Sequence, residues 1–530
     1  LGEPGMAGGA QSGSDAQNVD SRAMTPDGTK TQKQLQSSAA PAPAGGEDKP
    51  LALGEAPLSE EQKVVLEHII AGKSVFITGC GGTGKSHLMK HAIKALQEKY
   101  SAREVAVTAT TGIAACHIGG TTLHAFSGIG LGQSPVEKLK TSLSKVAKDR
   151  WEKTRVIIVD EVSMLDVEIF DKLDEVAQWV RRSDAPFGGV QLVLVGDFLQ
   201  LPPVSKGSGA KGRFCFESRA WGKAVSMHVE LKKVFRQDNE EFVAMLNEIR
   251  WGNCSRETTN KLQRTSAHNL EASDVKALQL FPTNSAVDKI NDEALAKLAE
   301  RATIFPARDT GDSQSHVEQL DKNCLAPKKL ELKIGCQVML LKNLDPARGL
   351  INGARGVVKE FQYHDDPDSK ASVVVHPFVE FETTSHGLQG KIMVEEDFNI
   401  EVGGKVMARR TQVPLRLAYA ITIHKCQGMT LNKVVMSLND VFEFGQAYVA
   451  LSRVSSLEGL KLKGFNPICV KAHPRVVEFY SDMDGFIEKR LRFFAENPEA
   501  SQGGPASYRP VGNDGWNQRG GNQGGNQGQR

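Results

Sequence analysis

The chain has 530 residues, 40% of them hydrophobic and 24% charged, with a formal net charge of +2. That length suits two to four domains, and the composition fits a soluble globular protein with no apolar run long enough to span a bilayer. Near-neutrality excludes a global basic field, although a local groove can still be basic, and eight cysteines without a C-x-x-C pair argue against a zinc site or disulfide framework and suit a reducing compartment.

Residues 1–53 are rich in Gly, Ala, Ser, Pro and Asp and nearly lack large apolar side chains, so disorder is expected there. The chain begins at Leu1, as a fragment or processed product would, and its acids and few arginines are unlike a transit peptide. Ser59-Glu60-Glu61-Gln62, ahead of the apolar positions Val65 and Ile69, matches a capping box. A second reading has Gln62 bonding an adenine edge. The residues favour the cap and allow both.

Val75-Phe76-Ile77-Thr78 reads as a buried strand, and Leu88, Ala92, Ala95 and Leu96 share a helical face. Between them stands Gly79-Cys80-Gly81-Gly82-Thr83-Gly84-Lys85-Ser86, the phosphate-loop pattern in its strand–loop–helix context. Its glycines let backbone N–H groups turn inward, and the helix start adds partial positive charge. Lys85 is placed to reach terminal phosphates and Ser86 to hold magnesium, while Cys80 reads as a small filler. A nucleoside triphosphate is the implied ligand.

Further apolar runs at 105–109, 156–159 and 192–195 each lead into polar residues, the βαβ grammar of a parallel sheet. Asp160-Glu161 follow the second of these. They read either as a helix-start pair or as an acid that holds magnesium beside one that polarises water, and the phosphate loop favours the latter. Gly196–Pro203 contains Gln200, which either senses a γ-phosphate or sits in an ordinary turn stiffened by two prolines. Residues 108–111 and 119–126 combine hydroxyls, glycines and the rings of His124 and Phe126, suited to phosphate contact and base stacking. Core packing is the competing reading for Phe126.

Arg236, in Val-Phe-Arg-Gln, and Arg453, in Ala-Leu-Ser-Arg, read as surface charges or as fingers that neutralise transition-state charge. Runs at 278–281, 418–423 and 434–437 suggest a second α/β domain. Within it, 306–404 changes character, with short antiparallel strands expected at 332–341, 356–361, 372–375 and 378–381. The acidic piece 364–368 reads as a surface loop. Ile421-Thr422-Ile423-His424-Lys425-Cys426-Gln427-Gly428 repeats the hydroxyl, cation and ring pattern, and His424 reads equally as a structural histidine. The stretch 491–530 reads as a solvated tail, or as a weak nucleic-acid contact through Tyr508, Trp516, Arg519 and Arg530.

In this order the segments resemble superfamily 1B DNA helicases, and within them the petite-integration-frequency family, close to the RecD-like group. The resemblance runs from about residue 59 to 480. It implies an α/β fold of two RecA-like P-loop domains with parallel sheets, a small Src-homology-3-like β-barrel insert, and disordered tails. The implied divisions are 54–228 for the first domain, with a small wedge insert near 113–150, then 229–305 with 405–490 for the second, and 306–404 for the insert. The implied activity is 5′-to-3′ DNA unwinding driven by ATP, with Mg2+, in repair, recombination, replication, telomere or mitochondrial genome maintenance. By matching motifs, Gln62 would recognise adenine, and Gly79, Cys80, Gly81, Gly82, Thr83, Gly84, Lys85 and Ser86 would hold the phosphates. Ser86 and Asp160 would bind the metal, Glu161 would activate water, Gln200 would couple nucleotide to DNA, and Arg236 and Arg453 would be fingers. His124, Phe126, His424, Lys425, Gln446 and Tyr448 would line the strand. Implied partners are single-stranded DNA and tailed or structured duplexes, with a monomer in solution that can pair on DNA, in the nucleus or mitochondrion. An RNA or hybrid remodeller and a non-motor binding ATPase are the rival readings.

Overall fold

A computed structural model of the chain describes residues 57–203, 213–270, 275–345, 348–366, 369–383, 387–402 and 405–496. The expected disordered segment 1–53, and Tyr508, Trp516, Arg519 and Arg530 of the expected tail, lie outside the described residues. Among the described residues, no helix is long and apolar enough to cross a membrane.

The first half is built on a six-stranded sheet of β1 (Val75–Gly79), β2 (Val105–Ala109), β3 (Thr121–Thr122), β4 (Val156–Asp160), β5 (Gln191–Val195) and β6 (Met227–Leu231). Its order is β3-β2-β4-β5-β1-β6, parallel throughout. Successive side chains of a strand point to opposite faces. Phe76, Ile157, Leu192 and Leu194 therefore enter one core, and Val75, Ile77, Ile158, Val193 and Val195 the other. Both faces are covered, which is why these strands read as unbroken apolar runs. β6 did not: four of its five residues are only half-buried, and it runs through the domain boundary expected at 228.

The chain's end returns to this half. The helices Pro474–Ser481 and Met483–Glu496 send Val476, Phe479, Phe486 and Ile487 into the core that holds Phe76, Phe198, Phe216 and Trp221. Phe479 stacks on Phe216 with ring centroids 4.2 Å apart. The last helix thus continues past the tail boundary expected at 491, and its partners lie in the first half rather than the second.

The second half opens with β7 (Leu278–Phe281) and then admits the insert. The insert's strands are β8 (Thr303–Pro306), β9 (Arg308–Gly311), β10 (Lys329–Leu332), β11 (Gln337–Leu340), β12 (Arg355–Asp366), β13 (Ser369–Thr383), β14 (Gly387–Ile392), β15 (Glu396–Val402), β16 (Lys405–Gln412) and β17 (Leu415–Leu417). They form antiparallel sheets of five, three and two strands. Sheet structure reaches residue 417, beyond the expected end at 404. The run expected at 332–341 is two strands, because Gly335 (φ +83°) turns the chain between β10 and β11. Residues 372–375 and 378–381 are one 15-residue strand, β13. Of the acidic piece expected as a surface loop, residues 364–366 instead extend β12 in a hairpin with β13, and 367–368 lie outside the described residues.

β18 (Ala420–Thr422), β19 (Val434–Ser437) and β20 (Leu460–Gly464) complete the second parallel sheet, ordered β18-β7-β19-β20. β20 buries Leu460 and Leu462 but leaves Lys461 and Lys463 outside the core, and so reads as polar. Both expected parallel sheets are present, and the carboxyl ends of β1 and β4 open onto a cleft whose other wall comes from the second half.

Candidate functional site

The loop 79–84 leaves β1 and enters the helix Lys85–Lys99. That helix has no side-chain cap at its start. Its first N–H groups are therefore left for an anion. Gly84 has φ +79°, and a Cβ there would fall 2.5 Å from Gln62 Nε2. Gln62 is 2% exposed and serves the expected capping box: Ser59 N–H donates to its Oε1 (3.0 Å), and its own N–H to Ser59 Oγ (3.3 Å). Its Nε2 also donates to the Thr83 and Gly84 carbonyls (3.3 and 3.4 Å). One side chain ties the helix start to the loop. Lys85 Nζ donates to the Gly79 and Cys80 carbonyls (2.7 and 3.0 Å), and burial lowers its pKa.

Asp160 ends β4, and its Oδ1 accepts the Glu161 N–H at 2.8 Å. Glu161 is held at φ +52°, a region that costs a non-glycine residue about 1–2 kcal/mol, with its carbonyl bonded by the Thr110 hydroxyl at 2.7 Å. Burial, then the charge of Glu161, pushes Asp160 up. Burial also pushes Glu161 up, against the pull of Lys85 and Arg453. The carboxyl groups of Asp160 and Glu161, sharing a cavity with the Ser86 hydroxyl, are an oxygen donor set suited to a hard divalent cation. The residues present fit Mg2+.

A cavity of about 280 Å³ joins these groups to the other half. Its walls include Lys85, Ser86, Asp160, Glu161, Gln200, Arg236 and Arg453. Arg236 donates to Thr430 Oγ1 (3.0 Å) and the Ser452 carbonyl (3.1 Å), and burial, then the charge of Arg453, lowers it to about 9. Arg453, 2% exposed, donates to the Val449 carbonyl (3.0 Å) and Ser452 Oγ (2.7 Å) of its own element. Gly81 needs space rather than an unusual backbone. A Cβ there would stand 3.0 Å from Arg453 Nη2 and 3.2 Å from Ser452.

Three residues expected along the strand are not placed to line one. Tyr448 is 2% exposed, and its hydroxyl accepts the Gly81 N–H at 2.6 Å. Gln446 is fully buried, its Oε1 accepting from the Phe442 and Glu443 N–H groups. All six residues of the helix Gln446–Leu451 are buried, so its polar groups face the interior. Phe126 packs edge-on against Trp151 in the core, ring centroids 5.2 Å apart. His124, His424 and Lys425 are only partly buried, the last two in the turn after β18. Burial lowers the pKa of both His424 and Lys425.

Other residues at the site had no reading of their own. Gln427 Nε2 donates to Glu161 Oε2 at 2.7 Å. It lay inside a segment already singled out, but its neighbours drew the attention. Phe235, 49% exposed, lines the same cavity and would touch a side chain at Gly84. An aromatic beside Arg236 was the available signal. Behind the loop, Arg250 holds Asp197 through Nε and Nη2 (3.0 and 3.1 Å) and Glu230 through Nη1 (3.0 Å). Tyr480 Oη lies 2.5 Å from Thr78 Oγ1, accepts the Phe198 N–H (3.1 Å) and donates to Asp197 (3.4 Å). Nothing local marks Arg250 as different from a surface arginine.

Residues 57–260 match the family model "PIF1-like helicase", and 316–361 match "DNA helicase Pif1, 2B domain". The ATP-dependent DNA helicase PIF1 of Homo sapiens is 42% identical over 429 residues, which cover 80% of this chain and 64% of that protein. The chain therefore spans just under two thirds of that relative's length. The crystal structure of Pif1 helicase from Candida albicans is 41% identical with a TM-score of 0.65, over 81% of this chain and 100% of that one. A Bacteroides Pif1 structure in complex with ADP-AlF3 and single-stranded DNA is 28% identical with a TM-score of 0.55, over 84% and 98%. With two family models matched in order and a solved relative covered end to end, the chain belongs to the PIF1-like helicase family.

Proposed function

We propose that the chain is an ATP-driven DNA helicase that moves 5′ to 3′ along a single strand. The observation that carries this is the one cavity shared by the phosphate loop, the acid pair and two arginines, with walls from both halves. ATP binds with its phosphates on the loop amides and Lys85. Its base lies against the exposed ring of Phe235, and Gln62 would recognise the adenine edge only by exchanging one of its bonds to the loop carbonyls. Ser86 and Asp160 would hold Mg2+, which supplies charge neutralisation to the phosphates when bound. Glu161 accepts the proton of the attacking water, and Gln200 reports the γ-phosphate. Arg236 and Arg453 then meet charge that develops on the transferred phosphoryl group.

The arginines reach the phosphates only when the cleft is shut, so hydrolysis requires closure and product release permits opening. His124, His424 and Lys425 grip the strand on the opposite face, and alternate grips advance it. Such phosphate contacts are salt-sensitive and largely indifferent to sequence. Opening one base-pair step costs about 1.4 kcal/mol, which one ATP covers. The solved Bacteroides relative with single-stranded DNA and a nucleotide analogue supports the reading. The working compartment is one that holds DNA, the nucleus or the mitochondrion.

The deciding experiment is steady-state ATP hydrolysis with and without oligo(dT), for the wild type and Lys85→Ala, followed by unwinding of 5′-tailed and 3′-tailed duplexes. DNA-stimulated turnover lost in the variant, with unwinding of the 5′-tailed duplex alone, is expected. Hydrolysis in a folded wild type without unwinding of either duplex would reduce the protein to a non-motor ATPase.

A further inference from the structure

The turn after β18 does more than present two cations. Thr422 ends the strand, and its hydroxyl accepts the Lys425 N–H at 3.3 Å. Backbone bonds from Cys426 N–H to the Thr422 carbonyl (3.1 Å) and from Met429 N–H to the Cys426 carbonyl (3.0 Å) close it into a compact unit. Gly428, at φ +80°, reverses the chain at the cavity wall. From this unit His424 and Lys425 reach partial exposure. Gln427 reaches Glu161 at 2.7 Å, and Thr430 receives the Arg236 guanidinium at 3.0 Å. Leu431 N–H bonds the Arg453 carbonyl at 2.9 Å. One short segment therefore touches an acid of the first half and both arginines.

Glu161 itself is fixed in backbone and free in side chain. Its left-handed φ and its carbonyl bond to Thr110 hold the main chain. The side-chain hydrogen bond its carboxylate receives among the described residues comes from Gln427, in the opposite half. Because it joins the two halves, that bond would be lost on any opening of the cleft. Without it the carboxylate keeps only the charge attraction of Lys85 and Arg453, which gives no hydrogen bond to fix its direction.

We propose that Gln427 is a positioning residue that aims Glu161 on closure, so that a strand seated on the turn at 424–425 is felt at the group that activates water. The proposal rests on the reading of Glu161 as that group. It makes the general base a two-half assembly: the acid belongs to one half and its orientation to the other.

The test uses the full chain and oligo(dT). Gln427→Met keeps length and removes the donor. Gln427→Glu keeps shape and sets a carboxylate against Glu161. Each is measured alone and in a Glu161→Gln background. A hydrogen bond to a charged group sets the scale, so Gln427→Met is expected to lower DNA-stimulated kcat about 10- to 100-fold. KM for ATP and the Kd for oligo(dT) should stay within about two-fold, because Gln427 does not touch either ligand in this reading. Gln427→Glu should lose at least as much. In the Glu161→Gln background neither change should lower the residual rate further, since residues acting as one unit are not additive. Losses that multiply in the double variants, an unchanged kcat, or a loss explained by KM or oligonucleotide binding would overturn the coupling while leaving the helicase reading intact. A wild type whose hydrolysis oligo(dT) does not raise would remove both.

Discussion

Two of the junctions between the halves are opposite in character. Behind the phosphate loop, Arg250 of the second half is clamped on Asp197 and Glu230 of the first, with Arg250 4% and Asp197 0% exposed. The Arg250 guanidinium lies over the Tyr480 ring, and Phe198 and Trp251 pack against Tyr480. In front, around the cavity, Gln427 and Tyr448 each cross with a single hydrogen bond. Arg453 bonds only its own element there. A buried ion pair is expensive to break, because one partner is left charged and dry. Single bonds around an open cavity of about 280 Å³ exchange for ligand or water at little cost. The rear junction is therefore a pivot and the front junction a jaw, and cleft motion should open the front while sparing the rear.

Four substitutions or conditions would break or sharpen that contrast. The largest effect belongs to the jaw. Arg453→Ala should lower kcat for DNA-stimulated hydrolysis about 10³-fold, the low end for a lost arginine finger. It should cost less stability than any change at the pivot, as urea titration would show. At the pivot, Arg250→Ala should cost about 3–5 kcal/mol of stability by stranding Asp197. A loss below about 1 kcal/mol by the same titration would mean that the rear contact is not fixed.

Gly81→Ala asks for a smaller displacement. Its Cβ would press Arg453 by a few tenths of an ångström. A full ångström of misplacement can cost about 10²-fold, so a kcat loss of roughly 10-fold is expected. Nucleotide-binding fluorescence should show affinity for ADP unchanged, which separates a displaced arginine from a damaged loop.

The smallest effect concerns a third contact, where His117 Nε2 meets Asn352 Nδ2 of the insert at 3.0 Å. Burial, then the charge of Lys90, pushes His117 down to about 4. The unfolded chain takes up that proton near pH 6.5 and the fold only near 4. Stability from this group is therefore complete above pH 6.5 and is lost as pH falls from 6.5 to 4. Urea midpoints at pH 7 and 5 should differ less in His117→Gln than in the wild type. An equal difference would remove His117 from the account.

What was legible in the sequence follows from how local each signal is. The phosphate loop and Asp160-Glu161 announce themselves within a few residues, whereas Arg453 stands out only through the family resemblance, and all of them meet at the cavity. Arg250 does not, because its partner Asp197 is 53 positions away and a helix carrying one arginine looks like any solvated helix. Gln446 and Tyr448 misled for the converse reason. The resemblance assigns both to the DNA strand, yet inside the fold Tyr448 Oη accepts from Gly81 N–H and Gln446 Oε1 from Phe442 and Glu443 N–H, which offsets part of the penalty for burial. β6 and β20 were passed over because half-buried strands interleave charge with leucine. The antiparallel character of the insert was readable, but its strand limits depended on a glycine turn and on a hairpin whose partner strand decides its length.

The return of the last helices to the first core sets an order of events during synthesis. Domains made early normally fold early. Here the nascent first half carries its phosphate loop out of the ribosome while Phe76, Phe198, Phe216 and Trp221 still lack Phe479 and Phe486. The whole second half and the insert must be made before that aromatic cluster is sealed and Tyr480 reaches Thr78. A premature stop just before Pro474 would thus leave every residue around the nucleotide cavity in place and still expose a sticky apolar face, so such a product would be lost to aggregation rather than to missing chemistry.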